Sequence, residues 1–224
     1  APGVADALAA LRDRYEAIFA GLVRELPLRA VVRGQRTGVA VSMLLTWVLT
    51  AGIVVVILMT PALMQKLHGF PPTLTLRANS LATLCLTLGC IGAGLAVDRF
   101  GAGRALAVGC LALLSTTYAL YLGVAARPEW LVGLSMLAGL GVGVVGVVPA
   151  VMVRAFPAAV RFSGLSFSYN VAYAIAGGFT PLLVTLLSQV TPLAPAHYVG
   201  AVAAVGLGVA GYLLGPARGR FVAL

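Results

Sequence analysis

Hydroxyl and amide side chains recur every three or four residues inside three long apolar stretches of this chain. The sets are Ser42, Thr46 and Thr50; Asn79, Thr83 and Thr87; and Ser163, Ser166, Asn170 and Tyr173, flanked by Trp47 and Tyr169. At this spacing each set lies on one face of a helix. Their chemistry is hydrogen bonding, either to a polar solute in a cavity or between neighbouring helices. Both interpretations stay open for each serine and threonine, whereas Asn170, whose amide needs several partners, favours a cavity lining.

Asp98, Arg99 and Arg104 form a second chemically distinctive group, at the end of an apolar stretch. A carboxylate at a helix end can pair with a cation or with the N-terminus of a neighbouring helix. Such a pair acts as a latch when helices move against one another. The alternative is a solvated aspartate in a loop.

The sequence contains no motif for catalysis or for metal binding. The three cysteines, Cys85, Cys90 and Cys110, lie in apolar stretches without a metal-ligand spacing, which predicts buried thiols that pack as apolar groups. The glycine pair Gly101 and Gly103 lacks the preceding strand of a phosphate-binding loop. We therefore predict a protein that is not an enzyme and that has no cofactor and no metal.

The amino-acid composition indicates what kind of protein carries these side chains. The 224 residues are 61% hydrophobic and 9% charged, whereas a soluble domain is roughly 25% charged. A water-soluble globule, a disordered tail and a secreted disulfide scaffold are thereby excluded. The composition predicts an integral membrane protein.

Six segments have the roughly 20 apolar residues that a membrane-spanning helix needs. They are residues 38–64, 74–97, 103–124, 128–153, 164–188 and 195–215. Helices are predicted because lipid offers no partner for open backbone groups, and because the segments lack the alternation of barrel strands. The predicted domains are a cytoplasmic connector over 1–37, a six-helix bundle over 38–215 and a cytoplasmic tail over 216–224. The connector is predicted to hold an amphipathic helix on the membrane surface, with a solvated linker helix as the alternative.

The net charge of +9 is explained by membrane topology. If the six segments span the membrane, twelve arginines fall on one side, and Lys66, Arg77 and Arg127 fall on the other. Positive residues accumulate on the cytoplasmic side. Both chain ends are therefore predicted to be cytoplasmic, and nucleic acid is not needed as a partner.

The fourth span combines a glycine cluster with a proline. Gly139 and Gly143 predict a face of small residues that another helix approaches closely. The cluster and Pro149 also weaken the helix, as expected of a gating element. Pro61 stands near the end of the first span as Pro149 does in the fourth. This match hints at an inverted three-plus-three repeat, which is typical of transporters.

The end of the second span resembles the cytoplasmic loop signature that major facilitator superfamily proteins carry between their eighth and ninth helices. The matching residues are Gly94, Asp98, Arg99 and Gly101. Ala102 and Gly103 replace the two basic residues that normally follow, and Arg104 comes next. The resemblance therefore implies a charge latch that is weakened or rearranged.

Residues 156–181 are similar to the tenth-to-eleventh helix region of the metabolite:proton symporter family, which includes carriers for citrate, 2-oxoglutarate, shikimate and proline or betaine. The resemblance extends over roughly residues 28–215. It implies the C-terminal half, helices seven to twelve, of a twelve-helix carrier, with the N-terminal half as its partner. No carboxylate lies in the interior of a predicted span, and the resemblance implies that the acidic groups that handle protons lie mainly in the N-terminal half.

The resemblance implies a secondary active transporter that moves a small polar metabolite, an organic acid or zwitterionic osmolyte, with protons by alternating access. The predicted substrate-pathway residues are Thr46, Trp47, Thr50, Thr83, Thr87, Tyr169, Asn170 and Tyr173. The predicted residues of the cytoplasmic latch are Gly94, Asp98, Arg99, Gly101, Arg104 and Arg161. The expected location is a bacterial plasma (inner) membrane, where the lipid bilayer is the other partner.

A complete six-helix membrane protein that acts as a homodimer, or as a scaffold or assembly partner, is the alternative. The upstream coding sequence separates the two hypotheses. Six further spans with their own loop signature would support the carrier half, whereas a start codon just before the first residue would support the alternative.

Overall fold

The computed structural model describes residue 31 and residues 34–216, and this part of the chain is helical without strands. Within this described part, six helices are long and apolar enough to cross a membrane. They are α1 (Arg36–His68), α2 (Pro72–Phe100), α3 (Ala102–Ala126), α4 (Pro128–Arg154), α5 (Ala158–Leu187) and α6 (Ala194–Leu214). The predicted all-α class with six spanning helices is confirmed. The predicted amphipathic helix near the N-terminus and nearly all of the predicted tail lie outside the described residues.

Five of the six helices are longer than the predicted apolar segments, because backbone hydrogen bonding continues beyond the apolar run, whereas α6 has the predicted length of 21 residues. α1 ends where Gly69 adopts a φ of +69°, and Gly101, with a φ of +84°, is the single residue between α2 and α3. Glycine adopts these positive φ values without the steric cost that a Cβ atom brings. Asp98 and Arg99 consequently lie in the last turn of α2 rather than in a loop.

α1 is the central helix of the bundle and α2 and α5 are its most exposed helices. α1 packs against α4, α5 and α6, α2 packs mainly against α4, and α3 lies between α4 and α6. In the most apolar stretch of each helix, 67% of the residues are buried in α1, against 17% in α2 and 22% in α5. The helices α2 and α5 therefore present most of their surface to the surroundings of the bundle.

Two of the six helices change their hydrogen-bonding pattern near mid-span. Residues Ala51–Met59 of α1 form a π-helix, and the Thr60 hydroxyl donates to the Val55 carbonyl five residues earlier, at 3.0 Å. Residues Gly143–Gly146 of α4 form a 3₁₀ turn ahead of Pro149. Both interruptions lie in the first helix of a group of three. They are local departures from α-helical geometry of the kind found at functional sites and hinges.

The close packing of α2 against α4 depends on glycine. A methyl group on Gly139 would overlap the backbone of Ala82, and one on Gly143 would overlap the backbone of Gly89. Small residues at these positions let the two backbones approach each other directly. The predicted face of small residues on the fourth span is thus confirmed, and α2 is the helix that it contacts.

Candidate functional site

Three hydroxyl residues of α2 lie at one edge of its exposed surface, whereas Thr75 is buried and Asn79 is half-buried. Ser80, Thr83 and Thr87 are exposed, and each threonine hydroxyl donates to the carbonyl four residues earlier, at 2.9 Å for Thr83 and 3.2 Å for Thr87. Hydroxyls bonded in this way keep lone pairs that can accept a further hydrogen bond. Gly94 and Asp98 continue the same face towards the end of the helix. Exposed leucines occupy the neighbouring face of α2.

A second polar face lies on α5. Asn170 is exposed, and its Nδ2 donates to the Ser166 carbonyl at 2.8 Å. This bond uses one of the two amide donors and leaves the side-chain oxygen for another partner. The rings of Tyr169 and Tyr173 stack with their centroids 5.6 Å apart and an interplanar angle of 19°. Together they form an aromatic and amide surface in the first half of α5.

Thr46 and Thr50 lie elsewhere, inside the packing of the bundle. Both are fully buried, and their hydroxyls donate to the carbonyls of Ser42 and Thr46 at 2.8 Å. The Thr46 hydroxyl also lies 3.9 Å from the sulfur of Met152 on α4. In this conformation the two threonines contribute to helix packing. The structure therefore does not bring them to the same exposed surface as Asn170.

Trp47 takes part in a hydrogen-bonded chain that joins three helices. Its indole Nε1 donates to the hydroxyl of Tyr198 on α6 at 2.9 Å, and that hydroxyl lies 2.6 Å from the Thr180 hydroxyl on α5. Because Tyr198 accepts from Trp47, its own proton is available to Thr180. Trp47 also lines an apolar groove of about 290 Å³ between α1, α5 and α6, together with Ala172 and Phe179. None of the other predicted pathway residues lines this groove.

Tyr198 and a stripe of small residues on α5 are structural features that we did not predict. The buried residues of α5 recur every four positions and are Gly164, Ser168, Ala172, Ala176, Thr180 and Val184. They lie where α5 packs against α1. The regular spacing of small residues is visible in the sequence and is the signal that predicts such a contact. Tyr198 carries no such spacing signal, because its partners Trp47 and Thr180 lie on other helices.

His197 forms a second polar contact beside Tyr198. Its Nδ1 lies 2.7 Å from the hydroxyl of Tyr118 on α3, and the two rings are 5.6 Å apart. Two consecutive residues of α6 therefore bond to three other helices. This pair was not predicted, because residues 79 positions apart carry no local spacing signal.

The predicted latch residues lie at the ends of helices on one side of the bundle. Asp98, Arg99, Gly101 and Arg104 are exposed. The guanidinium of Arg99 lies 5.5 Å from the centre of the Phe100 ring. Arg161 lies in the first turns of α5, and its Nε donates to the Phe156 carbonyl at 3.3 Å. A methyl group on Gly94 would meet no atom within 4 Å among the described residues, so this glycine leaves open space beside α2.

The site thus consists of two exposed polar faces on the two least buried helices. Hydroxyls, an amide and tyrosines can bind a polar solute through neutral hydrogen bonds. Within residues 34–216 no three His, Cys, Asp or Glu side chains are grouped as metal ligands. Lipid offers these faces no hydrogen-bond partner. The Thr83 and Thr87 donors are already bonded within α2, whereas the side-chain oxygen of Asn170 favours a cover of protein or water.

Comparisons with known proteins are consistent with this geometry. A citrate-proton symporter from Klebsiella pneumoniae is 34% identical to the chain over 122 residues. The aligned region is 52% of this chain, and the chain spans about a quarter (27%) of the length of that relative. No family model matches the chain, and no solved structure matches it. The sequence similarity therefore connects about half of the chain with a protein named for proton-coupled transport.

Proposed function

We propose that this chain is half of a secondary active transporter of the metabolite:proton symporter type, within the major facilitator superfamily. It moves a small polar metabolite, an organic acid or a zwitterionic osmolyte, together with protons by alternating access. The observation that carries the proposal is the pair of exposed polar faces on α2 and α5. Six further helices of an N-terminal half would cover these faces and enclose an aqueous pathway between the halves.

The similarity to a citrate-proton symporter supports the transport class and favours a carrier over an enzyme. A carrier of this kind lies in the plasma membrane of a bacterium, with both ends of the chain in the cytoplasm. The side chains on the two faces fit such a carrier, because neutral hydrogen-bonding groups can release a solute as well as bind it.

In this proposal Asn170 and Tyr173 hydrogen-bond the solute, and Tyr169 holds the Tyr173 ring by stacking against it. Thr83 and Thr87 form the opposite wall of the pathway. All five residues reach the surface that the second half would cover.

The three pathway residues of α1 act through helix packing. Thr46 and Thr50 lie behind the polar face of α5, and a methyl group on Gly177 would touch the Thr50 side chain at 4.0 Å. Trp47 couples α1 to α6 through Tyr198. Rocking of α1 would therefore change the shape of the pathway wall formed by α5.

The latch is a contact with the second half. Asp98, Arg99 and Arg104 are exposed at the end of α2 and the start of α3, and Arg161 lies at the start of α5. Gly94 leaves room for a helix of the other half to approach, and the positive φ of Gly101 permits the tight turn between α2 and α3. Charge pairs across this contact would break and re-form as the halves rock.

Uptake by vesicles that contain the full-length protein tests the proposal. Labelled citrate, 2-oxoglutarate, shikimate, proline and betaine are supplied under an imposed pH gradient. We expect gradient-dependent uptake of at least one, and Asn170→Ala should lower it about tenfold, since a lost hydrogen bond to a solute costs about 1.5 kcal/mol. Ser115→Ala is the matched control, because Ser115 is an exposed polar residue of α3 outside both polar faces. No uptake of any compound, or equal uptake by the two variants, would contradict the proposal.

A cysteine variant separates the carrier from the homodimer. In a six-helix homodimer the polar faces of two copies cover each other, so Thr83→Cys should cross-link two chains in the membrane. In the carrier the same position faces the N-terminal half of its own chain, and no cross-linked pair of chains is expected.

A further inference from the structure

A groove runs between α2, α3 and α4, away from the polar faces. Its volume is about 470 Å³ and it opens at the surface of the bundle. The lining is almost wholly apolar and rich in small residues, which keep the groove deep. Its walls include Gly89, Gly92, Ala96, Phe100 and Leu140, and Arg104 is the single charged residue that lines it within residues 34–216.

The groove and the polar face lie on opposite sides of α2. Thr83 and Gly92 are nine residues apart, which corresponds to about 180° around an α-helix. Asp98 and Ala96 are likewise separated by about 160°. A protein that covers the polar face therefore leaves the groove open, and its apolar lining fits contact with lipid.

The length of the groove matches one leaflet of a bilayer. Gly89 and Phe100, both lining residues, are eleven residues apart on α2. At 1.5 Å per residue this distance is about 16 Å, close to half of the roughly 30 Å hydrocarbon core. An extended acyl chain from one leaflet would fill such a groove along its length.

Positive charge is concentrated at the arginine-rich end of the groove. Arg104 lines this end and is exposed, and the guanidinium of Arg99 lies against the Phe100 ring that forms the mouth. Guanidinium groups bind phosphate through paired hydrogen bonds. Basic pockets between spanning helices on the cytoplasmic side bind anionic headgroups. Asp98 lies on the side of α2 away from the groove, and Arg99 and Arg104 outnumber its single negative charge at this end.

We infer that the groove is a binding site for an anionic phospholipid of the arginine-rich leaflet. One acyl chain lies along Gly92 and Ala96, and the phosphate binds Arg104, with Arg99 at the rim. The apolar lining recognises the chain, and the arginines select the charge of the headgroup. The inference needs only the membrane placement of the bundle and is independent of what the protein transports.

Lipid binding to the purified full-length protein tests the site. After delipidation in detergent, phosphatidylglycerol and phosphatidylcholine with the same acyl chains are titrated, and bound lipid is counted by native mass spectrometry. We expect tighter binding of phosphatidylglycerol. Arg104→Ala should weaken that binding about fivefold, the effect of one arginine near a lipid surface. Phosphatidylcholine binding should weaken less, because its choline ammonium already offsets the charge of the phosphate.

A second variant blocks the groove itself. A Cβ atom at Gly92 would meet no atom of the described residues within 4 Å, so the backbone there accepts a side chain. Gly92→Leu places that side chain in the groove and should abolish binding of the phosphatidylglycerol that the wild-type protein retains. Gly208→Leu is the matched control, because Gly208 of α6 is equally open and lies outside the groove. Unchanged phosphatidylglycerol binding in Gly92→Leu would overturn the site. Equal affinity for the two lipids in the wild-type protein would overturn the role of the arginines.

Discussion

Gly89→Ala tests whether direct backbone contact holds α2 against α4. A methyl group at Gly89 would lie 2.6 Å from the Leu140 carbonyl oxygen and 3.0 Å from the Cα atom of Gly143. Ordinary contacts of a Cβ atom begin at 3.4 Å, so the helices must separate by about 0.8 Å, the difference between 3.4 and 2.6 Å. Both obstructing atoms belong to the backbone, and a rotamer change cannot relieve the overlap.

The free-energy cost follows from two opposing effects. Forcing an extra methyl group into a packed interface costs about 1–3 kcal/mol. Alanine is a better helix former than glycine by about 1 kcal/mol, which partly offsets that cost. Gly133→Ala on α4 gains the same helix propensity, but its methyl group meets no atom of the described residues within 4 Å. The difference in stability between the two variants therefore isolates the steric cost, about 1–3 kcal/mol.

Reversible unfolding of the full-length protein by SDS in mixed micelles, followed by circular dichroism, measures this difference. The unfolding equilibrium constant of Gly89→Ala should exceed that of Gly133→Ala by about 5-fold to 150-fold. Equal constants, or a more stable Gly89→Ala, would refute the argument that α2 and α4 are held by backbone contact.

Two further predictions concern contacts inside the bundle. Tyr198→Phe removes the hydroxyl that joins Trp47 to Thr180 and should destabilise the protein by about 1–3 kcal/mol. The same substitution should cost less in a Trp47→Phe background, because one of the two hydrogen bonds is already lost there. A double-mutant cycle in the same SDS assay measures this difference. Cys110 is fully buried against Gly206 and should react with a maleimide only after unfolding, so labelling of Cys110 in the native protein, detected by mass spectrometry, would contradict this packing.

Much of the fold was predictable because membrane insertion depends on local composition. The apolar segments predicted six spanning helices, and residues 34–216 contain six. The glycines of the fourth span predicted a close helix contact, and Gly139 and Gly143 make one. The helix bounds were less accurate, since Asp98 and Arg99 end the apolar run while the backbone stays helical to Phe100.

The candidate site was less predictable, because polar residues with the same helical spacing lie in different environments in the structure. Thr46 and Asn170 both stand in polar stripes with helical spacing, yet Thr46 is buried against neighbouring helices and Asn170 is exposed. Spacing determines which residues share a face of a helix. It does not determine what that face contacts, because the contact depends on where the other helices pack.

The sequence by itself determined that the protein lies in a lipid bilayer, that its fold is all-α and how many spanning helices it predicts. Hydrophobicity and segment length suffice for this, because they are properties of each segment alone. Only the tertiary structure decided that Trp47 bonds to Tyr198, 151 residues away, and that α2 carries a polar face on one side and an apolar groove of about 470 Å³ on the other. These features arise between segments that are distant in the chain. Their geometry is therefore set by the packing of the whole bundle.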